Sequence, residues 1–214
     1  MSRRVVVTGM GTITPHADDV DSLFDQLREG VSAVRRISLF DPEVLPCQVA
    51  AEVRYPVEVP DSIGPYDLGS RAMRFAYGAA ERALRDSALT VPAADDYAQR
   101  DRRAVQLSVG VGSTAMEALG ATTLSVWGNS DSTDDRPLPE FRRAAVLEPQ
   151  SSGRLEEWFL DQAAPALGLL LGAEHVTTAA SACASGSHSL LDAAHAIRLG
   201  HADVVLCGGV CTPI

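Results

Sequence analysis

The sequence predicts an α/β fold with a mostly parallel sheet. Three observations support this. Short apolar or β-branched runs alternate with helical stretches, several of these runs end at glycine, and the composition is globular, with 46% apolar and 21% charged residues among 214. Strands that alternate with helices are typical of parallel sheets covered by helices on both faces.

The chain begins with a predicted buried strand and a helix. Residues 3–9 (RRVVVTG) form a short β-branched run that glycine stops. Residues 19–29 predict a helix, because Leu23 and Leu27 are four positions apart and Gly30 follows as a stop signal.

A short strand is predicted at residues 48–53 and a longer helix at residues 71–89. A further strand is predicted at residues 104–112, with a helix after Ser113. The helix at 71–89 carries arginines on one side and apolar residues on the other, namely Phe75, Ala76, Ala79, Ala83 and Leu84.

Residues 129–152 are rich in Asp, Pro and Ser and show no clear period, which predicts an excursion or lid within the domain. The remaining predicted elements are a helix at 155–171 that Pro165 should kink or interrupt, a strand at 174–180, a helix at 184–199 that Gly200 stops, and a strand at 203–209.

The charge and the cysteines exclude several classes of function. A net charge of −10 argues against nucleic-acid binding, and all 18 basic residues are arginines. No apolar run is long enough to span a membrane, and the N-terminus lacks a signal-peptide core, so a cytoplasmic location is expected. Scattered cysteines indicate neither a disulfide framework nor a metal site; they are Cys47, Cys183, Cys207 and Cys211.

The residues that indicate chemistry surround Cys183. Its neighbours are small, and the pattern places it where a predicted strand turns into a helix. The dipole and free N–H groups of a helix N-terminus favour a thiolate and can stabilise an oxyanion, which suits acyl transfer onto sulfur. A buried cysteine in a packed core is the alternative interpretation of the same pattern.

The stretch SACASGSHSL resembles the nucleophile motif of the β-ketoacyl-acyl-carrier-protein synthases. Cys183 matches the acylated cysteine, and Ser181 stands where threonine is usual. Further positions match as well: Ser185, Gly186 and His188. Segments at 4–15, 71–89, 109–114 and 203–209 also resemble this family in the right order, so residues 1–214 are expected to be the N-terminal half of a ketosynthase domain.

The resemblance implies a thiolase-like half-fold, a βαβαβ-type mixed sheet covered by helices and completed by a partner chain. It implies that Cys183 accepts an acyl group from a carrier-protein thioester for decarboxylative Claisen condensation with a malonyl unit. No metal or organic cofactor is expected, since the phosphopantetheine arm arrives on the carrier protein.

The family uses two histidines and usually a lysine beside the cysteine, and these groups come from the second half of the fold. None of the five histidines here is expected to replace them, and His188 is expected to face away from Cys183 and to be structural. We therefore expect a partner, a C-terminal-half ketosynthase chain that carries the catalytic histidines, and favour a split enzyme over a truncated fragment. A higher dimer is left open.

Arg71 and Arg74 are expected on the exposed side of their helix, as a docking surface for an acidic acyl carrier protein or simply as a solvated face. Two other functions stay open. One is a non-condensing structural subunit like a chain-length factor, and the other is a thiolase or acyltransferase that uses coenzyme A.

Overall fold

The computed structural model describes residues 3–43, 45–89, 102–109, 162–179 and 181–212. Within these ranges no helix is long and apolar enough to cross a membrane. The helices are α1 (Val20–Arg28), α2 (Arg71–Asp86), α3 (Ala163–Leu171) and α4 (Ser185–Leu199). The strands are β1 (Val34–Arg36), β2 (Val49–Ala51), β3 (Ser62–Ile63), β4 (Tyr66–Asp67), β5 (Arg103–Val109), β6 (His175–Ala179) and β7 (Val204–Val210).

Three parallel strands form the central sheet, in the order β6-β5-β7. Along one side of β5, Ser108 lies opposite Ala179, and along the other side Val109 lies opposite Val210. The C-terminal ends of all three strands therefore meet at one edge, which is where open parallel sheets bind ligands. The predicted α/β fold is confirmed, and each of these strands coincides with one that the sequence predicts.

The core lies between α2, α3 and the sheet. Leu167 and Leu171 of α3 are almost completely buried and pack with Met73 of α2. Leu206 and Val210 of β7 pack against the same cluster. Helix α4 contacts all three strands of the sheet. Because α4 follows β6 and leads into β7, this packing fixes where the helix starts relative to the strand ends.

Within the described residues, α3 begins at Ala163 and carries Pro165 in its first turn, so the proline lies near the start of the helix and not in its middle. Proline is tolerated in the first turn of a helix, where the backbone N–H has no partner in any case. Residues 155–161, the lid predicted at 129–152 and the helix predicted after Ser113 lie outside the described residues.

The helix predicted at 19–29 is confirmed as α1. Asp19 caps it by accepting a hydrogen bond from the Ser22 backbone N–H at 2.8 Å, and Gly30 follows with a φ of +71°. Its apolar face is not buried as the pattern suggests, since Leu27 is 57% exposed.

The strand predicted at residues 3–9 is wrong for the described structure, where this segment forms no ladder and leaves Val6 58% and Val7 73% exposed. The segment is held instead at its ends. Arg3 forms an ion pair with Asp203 at 2.8 Å, and a Cβ added at Gly9 would overlap the backbone of α2. A β-branched run needs a neighbour with free backbone groups to become a strand, and these contacts provide none.

Candidate active site

Cys183 lies in a turn between the central sheet and α4. β6 ends at Ala179, a 3₁₀ turn spans Ala182–Ala184, and α4 begins at Ser185. The Cys183 thiol is free and its residue is exposed. The predicted strand-to-helix position is confirmed, and the alternative of a packed core cysteine is wrong because the side chain is exposed.

Ser181 closes this turn through hydrogen bonds to three residues. Its backbone N–H donates to Ser185 Oγ at 2.7 Å, and its carbonyl accepts from the Ala184 N–H at 3.3 Å. Its hydroxyl lies 3.1 Å from Nδ1 of His188. The segment from Ser181 to Ser185 is therefore a closed loop with Cys183 at its middle.

His188 joins this loop to the body of α4. Its Nδ1 faces Ser181, and its Nε2 lies 3.7 Å from the Asp192 carboxylate one helical turn further on. Among the described residues, no hydrogen bond joins His188 to Cys183. Sequence reasoning missed both contacts. The spacing of four residues could have indicated the contact of His188 with Asp192, but not its contact with Ser181.

The N-terminus of α4 offers backbone donors beside the thiol. Its N-cap residue, Ala184, makes no side-chain capping hydrogen bond. The first N–H groups of a helix have no partner within the helix, and the helix dipole adds partial positive charge there. Groups of this kind can stabilise an oxyanion that forms close to the start of a helix.

The approach to Cys183 is open on the side of α4. Ala184 and Ser187 are exposed, and a Cβ added at Gly186 would meet no atom within 4 Å. Further along the helix, Leu190 and Leu191 are 53% and 50% exposed. The thiol is therefore accessible to a substrate, and large apolar side chains stand on the same helix.

The other cysteines differ from Cys183 in their surroundings. Cys207 lies within β7, where burial raises the pKa of its thiol. Cys47 and Cys211 are exposed and free, and neither adjoins a helix N-terminus. Within the described ranges, no group of histidine, cysteine and acidic residues could hold a metal ion.

The remaining histidines do not reach the thiol. His175 lies at the opposite end of β6 from Cys183, and His16 binds the carbonyl of Val31 at 2.9 Å. His195 and His201 are exposed, near the end of α4 and beyond it. No histidine in the described part of the chain is therefore hydrogen-bonded to Cys183.

Arg71 and Arg74 lie on α2 but are not fully exposed, which corrects the expectation of a solvated face. The guanidinium of Arg71 stacks 5.3 Å from the centre of the Phe75 ring. Arg74 donates to the carbonyl of Val57 at 2.8 Å. Both arginines are half-buried; Arg71 packs on its own helix and Arg74 on the segment around Val57.

A cavity of about 740 Å³ separates the N-terminal segment from β7. Side chains of α2 and α4 complete its walls, and Cys207 and Cys211 line it while Cys183 does not. The cavity is therefore distinct from the surface on which the Cys183 thiol opens.

Comparison with known proteins agrees with this geometry. The chain is 31% identical to the mitochondrial 3-oxoacyl-[acyl-carrier-protein] synthase of Arabidopsis thaliana, over 97% of this chain and 44% of that protein. It is 29% identical to the tetracenomycin polyketide synthase ketoacyl synthase alpha subunit of Streptomyces glaucescens, over 99% of this chain and 46% of that protein. The chain thus spans less than half of the length of these relatives.

Solved structures give the same fold. The structure of the ishigamide ketosynthase/chain length factor matches with a TM-score of 0.66 and 28% identity, over 99% of this chain and 49% of that chain. The β-ketoacyl synthase N-terminal domain matches residues 2–214. This chain therefore belongs to the β-ketoacyl synthase family, as a thiolase-like N-terminal domain of a ketosynthase.

Proposed function

We propose that this chain supplies the nucleophile of a carrier-protein-dependent ketosynthase, with Cys183 as the acyl acceptor. The observation that supports this most is the position of Cys183, an exposed free thiol immediately before the N-terminus of α4. Among the described cysteines it alone adjoins a helix N-terminus. The thiolate is the nucleophilic form of cysteine, and the N–H groups at a helix N-terminus can stabilise negative charge that develops during acyl transfer.

In the proposed transfer, the Cys183 thiolate attacks the carbonyl carbon of an acyl thioester carried on a phosphopantetheine arm. A new C–S bond forms at Cys183, the C–S bond to the arm breaks, and the departing thiolate takes up a proton. The N–H groups at the start of α4 stabilise the oxyanion of the tetrahedral intermediate. The arm belongs to the substrate, so this chain need supply only the sulfur and the donors.

Condensation requires groups beyond those that surround Cys183. Loss of carbon dioxide from a malonyl unit leaves a carbanion that attacks the Cys183 thioester, and histidines assist this step in the family. The sequence has no lysine among its 18 basic residues, and no described histidine is bonded to the thiol. We propose that the C-terminal half of the fold supplies the histidines, since this chain spans 44% of one relative and 46% of another.

An apolar interface with this second half is consistent with the exposed surface of α4. Leu190, Leu191 and Leu199 are 53%, 50% and 70% exposed, and all three are on the helix that follows the nucleophile. Stable obligate interfaces are large and apolar. Burial of these leucines by the second half would also exclude water from the thioester.

The acyl group is proposed to arrive on an acidic acyl carrier protein that contacts Arg71 and Arg74. Half-burial limits how much of each guanidinium such a partner could reach, and Arg74 is already bonded to Val57. Arg71→Glu is therefore the cleaner test, with Arg85→Glu as a matched control because Arg85 is exposed on the same helix. If KM for an acyl-carrier thioester rises equally in both variants, Arg71 is no specific docking residue.

The central experiment is intact-mass analysis of this chain with an acyl-carrier thioester, with and without its C-terminal half. We expect the acyl mass on the wild-type chain, its loss in Cys183→Ala, and its retention in Cys211→Ser, which removes another exposed thiol. Condensation product is expected only with the second half present. Acylation that persists in Cys183→Ala would overturn the assignment of the nucleophile.

Two other outcomes correspond to the alternative functions. A complete assembly that never takes up an acyl group would favour a non-condensing structural subunit. Faster acylation from acyl-coenzyme A than from the carrier thioester would favour a thiolase or acyltransferase.

A further inference from the structure

We infer that His188 is a positioning residue for the Cys183 thiol, acting through Ser181. The inference rests on the proposed function, because the thiol that is positioned is the proposed acyl acceptor. It adds a role for residues on α4 that do not touch the reacting atoms.

Ser181 is the residue whose hydrogen bonds hold the loop around Cys183 in place. Two of its hydrogen bonds, to Ser185 Oγ and from the Ala184 N–H, stay within the loop that contains Cys183. Among the hydrogen bonds of the described residues, the contact with His188 is the one that leads from Ser181 to a residue beyond that loop. Short 3₁₀ turns have poor hydrogen-bond geometry, so an external contact has a large share in fixing this one.

Asp192 lies at the other ring nitrogen of His188. Its carboxylate is 3.7 Å from Nε2, which is an ion-pair distance and longer than a hydrogen bond. Nδ1 lies 3.1 Å from the Ser181 hydroxyl, and the tautomer of the ring sets which of the two donates. The hydrogen bond between His188 and Ser181 is therefore the contact that ties the loop to α4.

This arrangement has a consequence for catalysis rather than for folding. The His188 and Asp192 side chains are 49% and 38% exposed, so removing them opens no core cavity. Their removal instead changes the orientation of the loop at 181–185, and with it the position of the Cys183 thiol relative to the first N–H groups of α4. Displacements near 1 Å at a reacting group can lower rates by about 100-fold.

Two substitutions of His188 separate the two contacts of its ring. In His188→Asn the side-chain oxygen can occupy the place of Nδ1 and accept from Ser181, whereas in His188→Gln the amide reaches the place of Nε2 and keeps only the Asp192 side. Ser181→Ala removes the hydroxyl, and Ser181→Thr retains it. His195→Asn is the matched control, because it removes an exposed imidazole from the same helix.

The experiment measures acyl transfer from an acyl-carrier thioester to Cys183 in the complete synthase, together with the thermal midpoint of each variant. We expect kcat for transfer to fall by about 10- to 100-fold in His188→Gln and Ser181→Ala, with KM and the midpoint unchanged. His188→Asn, Ser181→Thr and His195→Asn should stay near the wild-type rate. Combining His188→Gln with Ser181→Ala should lower the rate no further than either alone.

Equal rates in His188→Asn and His188→Gln would overturn the inference, as would losses that follow the thermal midpoint. Alkylation of Cys183 by iodoacetamide, measured in the same variants, keeps the test independent of the reaction. If the wild-type synthase takes up no acyl group, the proposed function fails, while the order of alkylation rates still decides whether His188 positions the thiol.

Discussion

Replacing Glu52 by alanine is predicted to loosen the connection between β1 and β2. Glu52 follows β2 directly, and its carboxylate is buried. It accepts hydrogen bonds from the Ser38 backbone at 2.9 Å, the Ser38 hydroxyl at 2.8 Å and the Leu39 backbone at 3.0 Å. Arg54 donates to the same carboxylate at 2.9 Å. The Glu52 carboxylate therefore accepts the hydrogen bonds of the segment after β1 and also pairs with the Arg54 guanidinium.

The expected loss is moderate because some of the partners can reach water. Hydrogen bonds to charged groups contribute about 1.5–3 kcal/mol each, and breaking a buried ion pair costs about 3–5 kcal/mol. Ser38 and Leu39 are exposed residues, and Arg54 is 45% exposed, so water can replace the carboxylate at each donor. We therefore expect a destabilisation of about 2–3 kcal/mol, toward the lower end of these ranges.

Amide hydrogen exchange at Ser38 and Leu39 reports this loss locally. At a factor of ten for each 1.4 kcal/mol, Glu52→Ala should speed exchange at these amides by about 30- to 150-fold. Glu58→Ala is the control, since Glu58 is an exposed glutamate six positions further on. Exchange that changes no more in Glu52→Ala than in the control would refute the reasoning.

Three further predictions concern other contacts of the described residues. Burial raises the pKa of Glu52, but its hydrogen bonds outweigh this and lower the pKa from 4.5 to about 2. The stabilisation from Glu52 is therefore present above pH 4.5 and lost as the pH falls toward 2, so the urea midpoint should drop more steeply in wild type than in Glu52→Gln. Gly11→Ala should lower stability by about 1–3 kcal/mol in thermal unfolding because its Cβ would overlap the backbone of α2, whereas Gly208→Ala meets nothing within 4 Å. Asp203→Asn removes the negative charge that pairs with Arg3 and Arg102, and it should speed hydrogen exchange across residues 5–14.

The elements that the sequence predicts well depend on neighbours along the chain. Asp19 caps α1, and Gly30 ends it with a φ of +71°. Gly200 ends α4 in the left-handed conformation. The strand, small-residue turn and helix around Cys183 are local in the same sense. For this reason the position of Cys183 between a strand and a helix could be predicted without knowledge of the rest of the fold.

Contacts between distant segments could not be predicted in this way. The pattern of α2 suggests that Arg74 faces solvent, but the carbonyl of Val57 lies within its reach. The contact between His188 and Ser181 arises because the 3₁₀ turn brings Ser181 back beside the second turn of α4. Neither contact has a signature in the spacing of apolar residues, because each depends on where a loop returns.

The valines of residues 3–9 show that a β-branched run does not by itself determine whether a segment becomes a strand. A β-branched run predicts that side chains avoid water but does not identify the surface that covers them. In the described structure Val6 and Val7 face a cavity beside β7 and remain exposed, as Leu190 and Leu191 do on α4. Large apolar side chains left exposed in neighbouring segments indicate a surface that belongs inside a larger assembly. The chain spans less than half of the length of these relatives. The second half that we propose would bury these apolar side chains.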